Sequence, residues 1–275
     1  MIRKNLLLML GLCALLTFSC DEDEADPPAK VSVQTFDIDL DNAYSIPMVE
    51  GRDETGNIKM NLFDDNSLEF TITINNLLAT DALTMAHVHT GDVVTAGSVA
   101  ITLVDGTEIA FSGNTATGTI TLSDSEIATL KGSDVYVNVH STDKGSGLVR
   151  GQIDQTIDNA FNVALSPANE VPAITDRNES GAAYLRVIGT TLYYSAVVND
   201  LDATDAITAG HIHNGSAEVN GGVLVNLGFT DNAQLGITKS LTLTDAELTA
   251  LKNDPLYVNI HSVQHGGGLL RGQIR

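Results

Sequence analysis

Beyond residue 30 the chain is built from short runs in which apolar and polar residues alternate. Phe70-Thr71-Ile72-Thr73-Ile74 alternates, as does Val135-Tyr136-Val137-Asn138-Val139-His140, and Leu192-Tyr193-Tyr194-Ser195-Ala196-Val197-Val198 is a similar run further on. A period of two sends successive side chains to opposite faces of a strand. Val, Ile, Thr and Tyr bounded by Gly, Asn or Asp favour that conformation. Two helix starts interrupt the pattern. Ser123-Asp124-Ser125-Glu126 opens a segment ending near Leu130, and Thr244-Asp245-Ala246-Glu247 opens one ending near Leu251. In each, the hydroxyl can take the N3 amide while the glutamate reaches back to the cap amide. The expected fold is all-β: antiparallel sheets packed face to face as two tandem Greek-key β-sandwich or barrel domains, each with one short connecting helix.

The duplication is legible as a repeat at an offset of 121 to 125 residues. Arg52-Asp53-Glu54-Thr55-Gly56 matches Arg177-Asn178-Glu179-Ser180-Gly181, and Pro47 matches Pro172. Leu78-Ala79-Thr80-Asp81-Ala82 matches Asp202-Ala203-Thr204-Asp205-Ala206 and its preceding Leu201. A repeat this long is a duplicated domain, since solenoid units are shorter. The expected domains are residues 31–154 and 157–275.

Six of the seven histidines fall in two repeated motifs, three per copy. His87 and His89 flank Val88, and His211 and His213 flank Ile212. On a strand each pair shares one face, with the aliphatic residue buried on the other. Tyr136, Asn138 and His140 share a face of another strand, as do Tyr257, Asn259 and His261. A His-x-His pair and a third histidine at another strand end can close three corners of a metal site and leave a fourth for water. The expected cofactor is copper or zinc, about one ion per domain, held by His87, His89 and His140 in one copy and His211, His213 and His261 in the other. The alternative is structural: surface pairs, and strand-end histidines bonded to loop carbonyls. Arg150 and Arg271 follow glycine-containing loops and open Gly-Gln-Ile. They either orient an anion beside the site or pair with loop carbonyls or with Glu54 and Glu179. Asn138 and Asn259 are expected to support the ligands or fix turns. Met85 shares the face of His87, but Ala209 replaces it in the second copy, so it takes no role. His265 is expected in an exposed loop.

These strings resemble the chordin-type (CHRD) domain: Ala-His-Val-His-x-Gly, Tyr-Val-Asn-Val-His-Ser and Arg-Gly-Gln-Ile, which recur through both halves. The resemblance implies an extracellular β domain, found in animals in an antagonist of growth-factor signalling and in bacteria in secreted proteins and lipoproteins. The cysteine-rich modules of the animal protein have no counterpart here. A looser resemblance is to copper/zinc superoxide dismutase, an eight-stranded Greek-key barrel. It rests on His87-Val88-His89 and on His140 before a glycine-rich loop ending in Arg150. It implies a copper-like site without the bridging histidine, the zinc loop or the disulfide, since no histidine lies between His89 and His140 or between His213 and His261. Dismutase activity is therefore not expected. No Gly-x-Ser-x-Gly elbow, P-loop or His-Glu-x-x-His is present. No catalytic residue is assigned, and a binding or scaffold role is favoured over copper redox chemistry.

The N-terminus bears on location. Arg3 and Lys4 precede an apolar run from Leu6 to Phe18, the size of a signal-peptide core and too short to span a bilayer comfortably. Ser19-Cys20 resembles a bacterial lipobox, which implies a leader of residues 1–19 and a lipid on Cys20. The tether, residues 20–30, carries Asp21-Glu22-Asp23-Glu24 and Pro27-Pro28, a solvated linker that also resembles the export signals of surface lipoproteins. The expected location is the bacterial envelope, anchored to the outer membrane and exposed at the surface. The other cysteine, Cys13, lies in the leader, so the domains must be held by their cores. A formal charge of −21 argues against nucleic acid as a partner and leaves a protein or glycan partner open.

Overall fold

The predicted alternation becomes two copies of one strand series in a computed structural model that describes residues 29–275. The expected leader, Cys20 and the acidic run after it lie outside the described residues. Copy one runs β1 (Ser32–Asp41), β2 (Thr55–Phe63), β3 (Ser67–Asn75), β4 (Leu83–Thr90), β5 (Val99–Val104), β6 (Thr115–Thr121), α1 (Asp124–Leu130), β7 (Val135–Ser141) and β8 (Val149–Gln152). Copy two repeats it as β9 (Asn159–Leu165), β10 (Ser180–Ile188), β11 (Thr191–Asn199), β12 (Ile207–Asn214), β13 (Val223–Asn226), β14 (Lys239–Thr242), α2 (Asp245–Asn253), β15 (Leu256–Ser262) and β16 (Leu270–Gln273). Both capping boxes form as expected, on Ser123 with Glu126 and on Thr244 with Glu247.

In copy one the strand order is β5-β4-β7-β8-β1-β2-β3-β6. Every pair is antiparallel. The join between β1 and β8 is a single pair, Asp41 with Arg150. In copy two the same join is the isolated bridge between Ser166 and Arg271, which meets the sheets β14-β11-β10-β9 and β13-β12-β15-β16. This thin seam lets each copy fold as two four-stranded layers over one core. Ile58, Ile72, Val88 and Val137 meet in copy one, and Leu185, Leu192, Ile212 and Val258 in copy two. β3 shows the cause: Leu68, Phe70, Ile72 and Ile74 point inward while Glu69, Thr71 and Thr73 face solvent.

β7 and β15 depart from that rule and are buried on both faces. Their aliphatic residues enter the core, and the tyrosine, asparagine and histidine between them lie under loops. A second departure joins the copies. Ala182 and Tyr184 alternate with core residues of β10, so they point outward, yet they pack against copy one. Their neighbours there are Tyr44, Ile46, Met48, Val93 and Val94. Asn162 Nδ2 donates to Ala43 O at 2.9 Å, and Thr238 Oγ1 donates to the Asp92 carboxylate. Arg186 is buried on this same face and donates to Asn162 Oδ1 and Phe161 O. Burial, aided by Arg150, pushes its guanidinium down to about 9. Residues 31–275 thus form one compact unit.

Candidate metal centre

β4 and β7 are hydrogen-bonded neighbours, and their register sets His87 opposite Asn138 and His89 opposite Tyr136. β12 and β15 repeat this with His211 opposite Asn259 and His213 opposite Tyr257. Same-face projection then brings the third histidine of β7 or β15 alongside the pair. One nitrogen from each of His87, His89 and His140 lies within 4.8 Å of the others, and the same holds for His211, His213 and His261. Two nitrogens on a tetrahedral metal at about 2.0–2.1 Å stand about 3.4 Å apart. His87 Nδ1 and His140 Nε2 are already 3.1 Å apart, and His211 Nδ1 and His261 Nε2 are 3.0 Å apart.

Backbone carbonyls decide which nitrogens are free. A carbonyl oxygen only accepts, so His140 Nδ1, 3.0 Å from Gly145 O, carries a proton and leaves Nε2 bare. His89 Nδ1 donates likewise to Gly97 O at 3.0 Å. In copy two His261 donates to Gly266 O at 3.1 Å and His213 to Gly221 O at 3.0 Å. His87 Nδ1 faces the bare Nε2 of His140 and donates to it; moving that proton to its own Nε2 would free Nδ1 as the third ligand atom. The middle histidines carry the most telling atoms. His89 Nε2 and His213 Nε2 are buried without a hydrogen-bond partner, a cost that a metal ion would remove.

Burial favours the neutral form of His87, His89, His140, His211 and His261. Burial, then His140 and His89, pushes His87 down to about 4. Burial also lowers His89, His140, His211 and His261 below the ordinary imidazole value, against the opposing pull of the Gly97, Gly145 and Gly266 carbonyls on three of them. Neutral imidazole is the form that binds metal.

The middle histidine is held by a short circuit. The Tyr136 ring stacks on His89 at 5.1 Å, and the Arg150 guanidinium carbon lies over the Tyr136 ring, 3.5 Å from its centroid. Tyr257 and Arg271 repeat the stack on His213 at 4.9 Å and 3.5 Å. Tyr136 Oη accepts from Gly97 N, the same residue whose carbonyl holds His89. Tyr257 and Gly221 do the same. A Cβ on Gly97 would stand 1.7 Å from Thr90 O, and one on Gly221 1.3 Å from Asn214 O, so only glycine fits. The repeat spacing of Gly97 and Gly221 was the sequence signal for this clamp.

Of the two readings of Arg150 and Arg271, their hydrogen bonds follow the one that pairs them with loop carbonyls. Arg150 is 2% exposed and its guanidinium donates to Thr95 O at 2.8 Å, to Asp92 O and to Gln152 Oε1. Arg271 donates to Ser216 O, Val219 O and Asn220 Oδ1. A guanidinium this deeply buried must satisfy its N–H groups internally, and the loop carbonyls are the nearest acceptors. Burial lowers Arg150 to about 10. Glu54 and Glu179 pair instead with Arg52 and Arg177.

Asn138 Nδ2 donates to Ser146 O at 3.2 Å and so fixes the turn after the third histidine. Asn259 Nδ2 reaches Glu170 Oε2 at 3.4 Å, where burial, against Arg271 and Asn259, raises the carboxyl to about 7. Two further supports were not anticipated. Asp81 accepts from Ser141 Oγ, Thr142 Oγ1 and Asp143 N, tying down the loop that follows His140. Asp205 accepts from Ser262 Oγ and Gln264 N after His261. Burial pushes the Asp81 carboxyl up, but Arg52 and these donors together hold it well below the carboxylate range. Met85 is exposed, and His265 is half-buried rather than exposed; both lie outside the two groups.

Compared with known proteins, the chain matches one family model, the CHRD domain, twice, over residues 36–153 and 161–274. Neither curated proteins nor solved structures give a significant match. The likeness to copper/zinc superoxide dismutase therefore rests on the spacing of the histidines and Arg150 alone.

Proposed function

The chain belongs to the CHRD domain family, with two tandem copies, and on that footing we propose that each copy binds one transition-metal ion through its three histidines. The observation that carries this reading is the buried, unpartnered Nε2 of the middle histidine in both copies, facing two other imidazoles. A histidine kept only to fix a loop needs its Nδ1 bond to a carbonyl and gains nothing from a buried bare nitrogen. The donor set suits copper or zinc. Three protein ligands, with His87 and His211 only partly buried, leave a coordination position open to water or a small molecule. We place the protein in the bacterial envelope, held by a lipid on Cys20, on the strength of the leader and the acidic tether.

The test is metal content after stripping and reloading with Cu(I), Cu(II) and Zn(II). Close to two ions per chain are expected, falling by one in His87→Ala/His89→Ala and by one in His211→Ala/His213→Ala. Binding no tighter than that of scattered surface histidines, with both variants folded and unchanged, would leave the structural reading: an adhesion or scaffold module whose histidines pin strand-end loops.

A further inference from the structure

We propose that the two centres are unequal, and that the docking of copy one on copy two makes the first centre the stiffer and tighter of the pair; this rests on the metal-binding reading above. In each copy the middle histidine is oriented through one loop. Residues 91–98 present Gly97 to His89, and residues 215–222 present Gly221 to His213. On its inner side each loop is tied by its arginine, Arg150 to Asp92 O and Thr95 O or Arg271 to Ser216 O, Val219 O and Asn220 Oδ1, and Asn220 Nδ2 adds a bond to Val171 O within copy two.

The outer sides differ. In copy one Val93 and Val94 are 1% and 2% exposed, packed with Tyr184 of copy two. The Asp92 carboxylate gathers three donors: Val94 N at 2.9 Å, Thr95 Oγ1 at 3.0 Å and Thr238 Oγ1, the last from copy two. In copy two Ser216, Ala217 and Glu218 stand at the places of Asp92, Val93 and Val94, and all three are exposed. Val219 is 52% exposed. The apolar and acidic groups that seat the first loop are thus replaced in the second, whose outer side is exposed among the described residues.

Metal affinity falls by whatever fraction of the time the ligands are out of place. It also falls when the groups that orient a ligand are loosened, commonly by about 10- to 100-fold. A loop whose outer side is buried against the other copy holds His89 ready, and a loop tied only within its own copy, with Ser216 to Val219 exposed, holds His213 less firmly. The contact between copies therefore acts as part of the first centre although it touches no histidine.

The experiment isolates each centre. His211→Ala/His213→Ala leaves the first and His87→Ala/His89→Ala leaves the second. Zn(II) is titrated into each, alone and combined with Thr238→Val/Tyr184→Ala, and hydrogen exchange of the Gly97 and Gly221 amides is followed in parallel. The first centre should bind Zn(II) about tenfold or more tightly than the second. The contact variant should bring it down towards the second and speed exchange at Gly97, with the second centre and Gly221 unchanged. The second centre serves as the folding control for copy two, and Thr238→Val alone is the milder variant should the pair unfold it. Equal affinities, or a first centre and a Gly97 amide indifferent to the contact variants, would overturn the inference. No Zn(II) at either centre would instead remove the metal reading, while faster exchange at Gly97 would still report that copy two clamps the loop.

Discussion

Lowering the pH from 6.5 to 5.0 separates these centres from a group of ordinary surface histidines. An imidazole with a pKa near 6.5 is half protonated at the start of that interval and almost wholly protonated at its end. Each such ligand costs a metal about 16-fold in affinity, and three cost about 4,000-fold. His87, held at about 4, loses only about 10% over the same interval. His89 and His140 are displaced in the same direction by burial, so the first centre should lose far less than about 4,000-fold in affinity over this interval. The assay is a competition titration of Zn(II) against a chelator of known pH dependence, on the chain carrying His211→Ala/His213→Ala. Working below pH 6.5 keeps ionisation of metal-bound water from contributing. A loss approaching 4,000-fold would show imidazoles in a water-like setting and would refute the burial argument. The same displacement predicts stability. With folded-state values below those of the unfolded chain, the unfolded state takes up protons first, so this contribution is complete above about pH 6.5 and is lost as the pH falls towards about 4.

Other substitutions test the supports. Gly97→Ala and Gly221→Ala each drive a methyl into a backbone carbonyl; at least about 1–3 kcal/mol of stability should be lost in chemical denaturation, together with metal at that centre. Asp81→Asn removes one of the two close carboxylates on the Arg52 guanidinium and leaves Glu54, and urea unfolding should show a loss of about 1.5–3 kcal/mol. Tyr136→Phe removes the acceptor for Gly97 N but keeps the ring stack on His89; a drop in affinity of about tenfold without a large change in melting temperature is expected. Glu170, raised to about 7 by burial, is ionised in the unfolded chain before it is in the folded one. Its contribution is therefore complete below about pH 4.5 and lost as the pH rises through about 7, so Glu170→Gln should stabilise the protein at pH 8 and have little effect at pH 4.

Local pattern carried much of this protein. Alternation along single strands is enough to place Phe70-Thr71-Ile72-Thr73-Ile74 in a half-buried sheet, because a pleated strand admits only one division of its side chains. The capping boxes at Ser123 and Thr244 are likewise written within four residues. The six histidines could be grouped because i and i+2 share a face and because both copies keep the spacing. What could not be read there came from contacts between distant segments. The roles of Arg150 and Arg271 depend on carbonyls that reach them 52 to 58 residues away in the chain, and a guanidinium buried among acceptors has no choice that its neighbours in sequence reveal. Gly97 and Asp81 matter because tertiary packing sets a carbonyl against His89 and a carboxylate under the loop after His140. The outward faces of Ala182 and Tyr184 look like any exposed strand until copy one covers them. The sequence alone determined strands, repeat and the grouping of the histidines, because these follow from periodicity along one chain; which nitrogen is bare, and which loop is buried between the copies, were decided only when groups far apart in the chain were brought together.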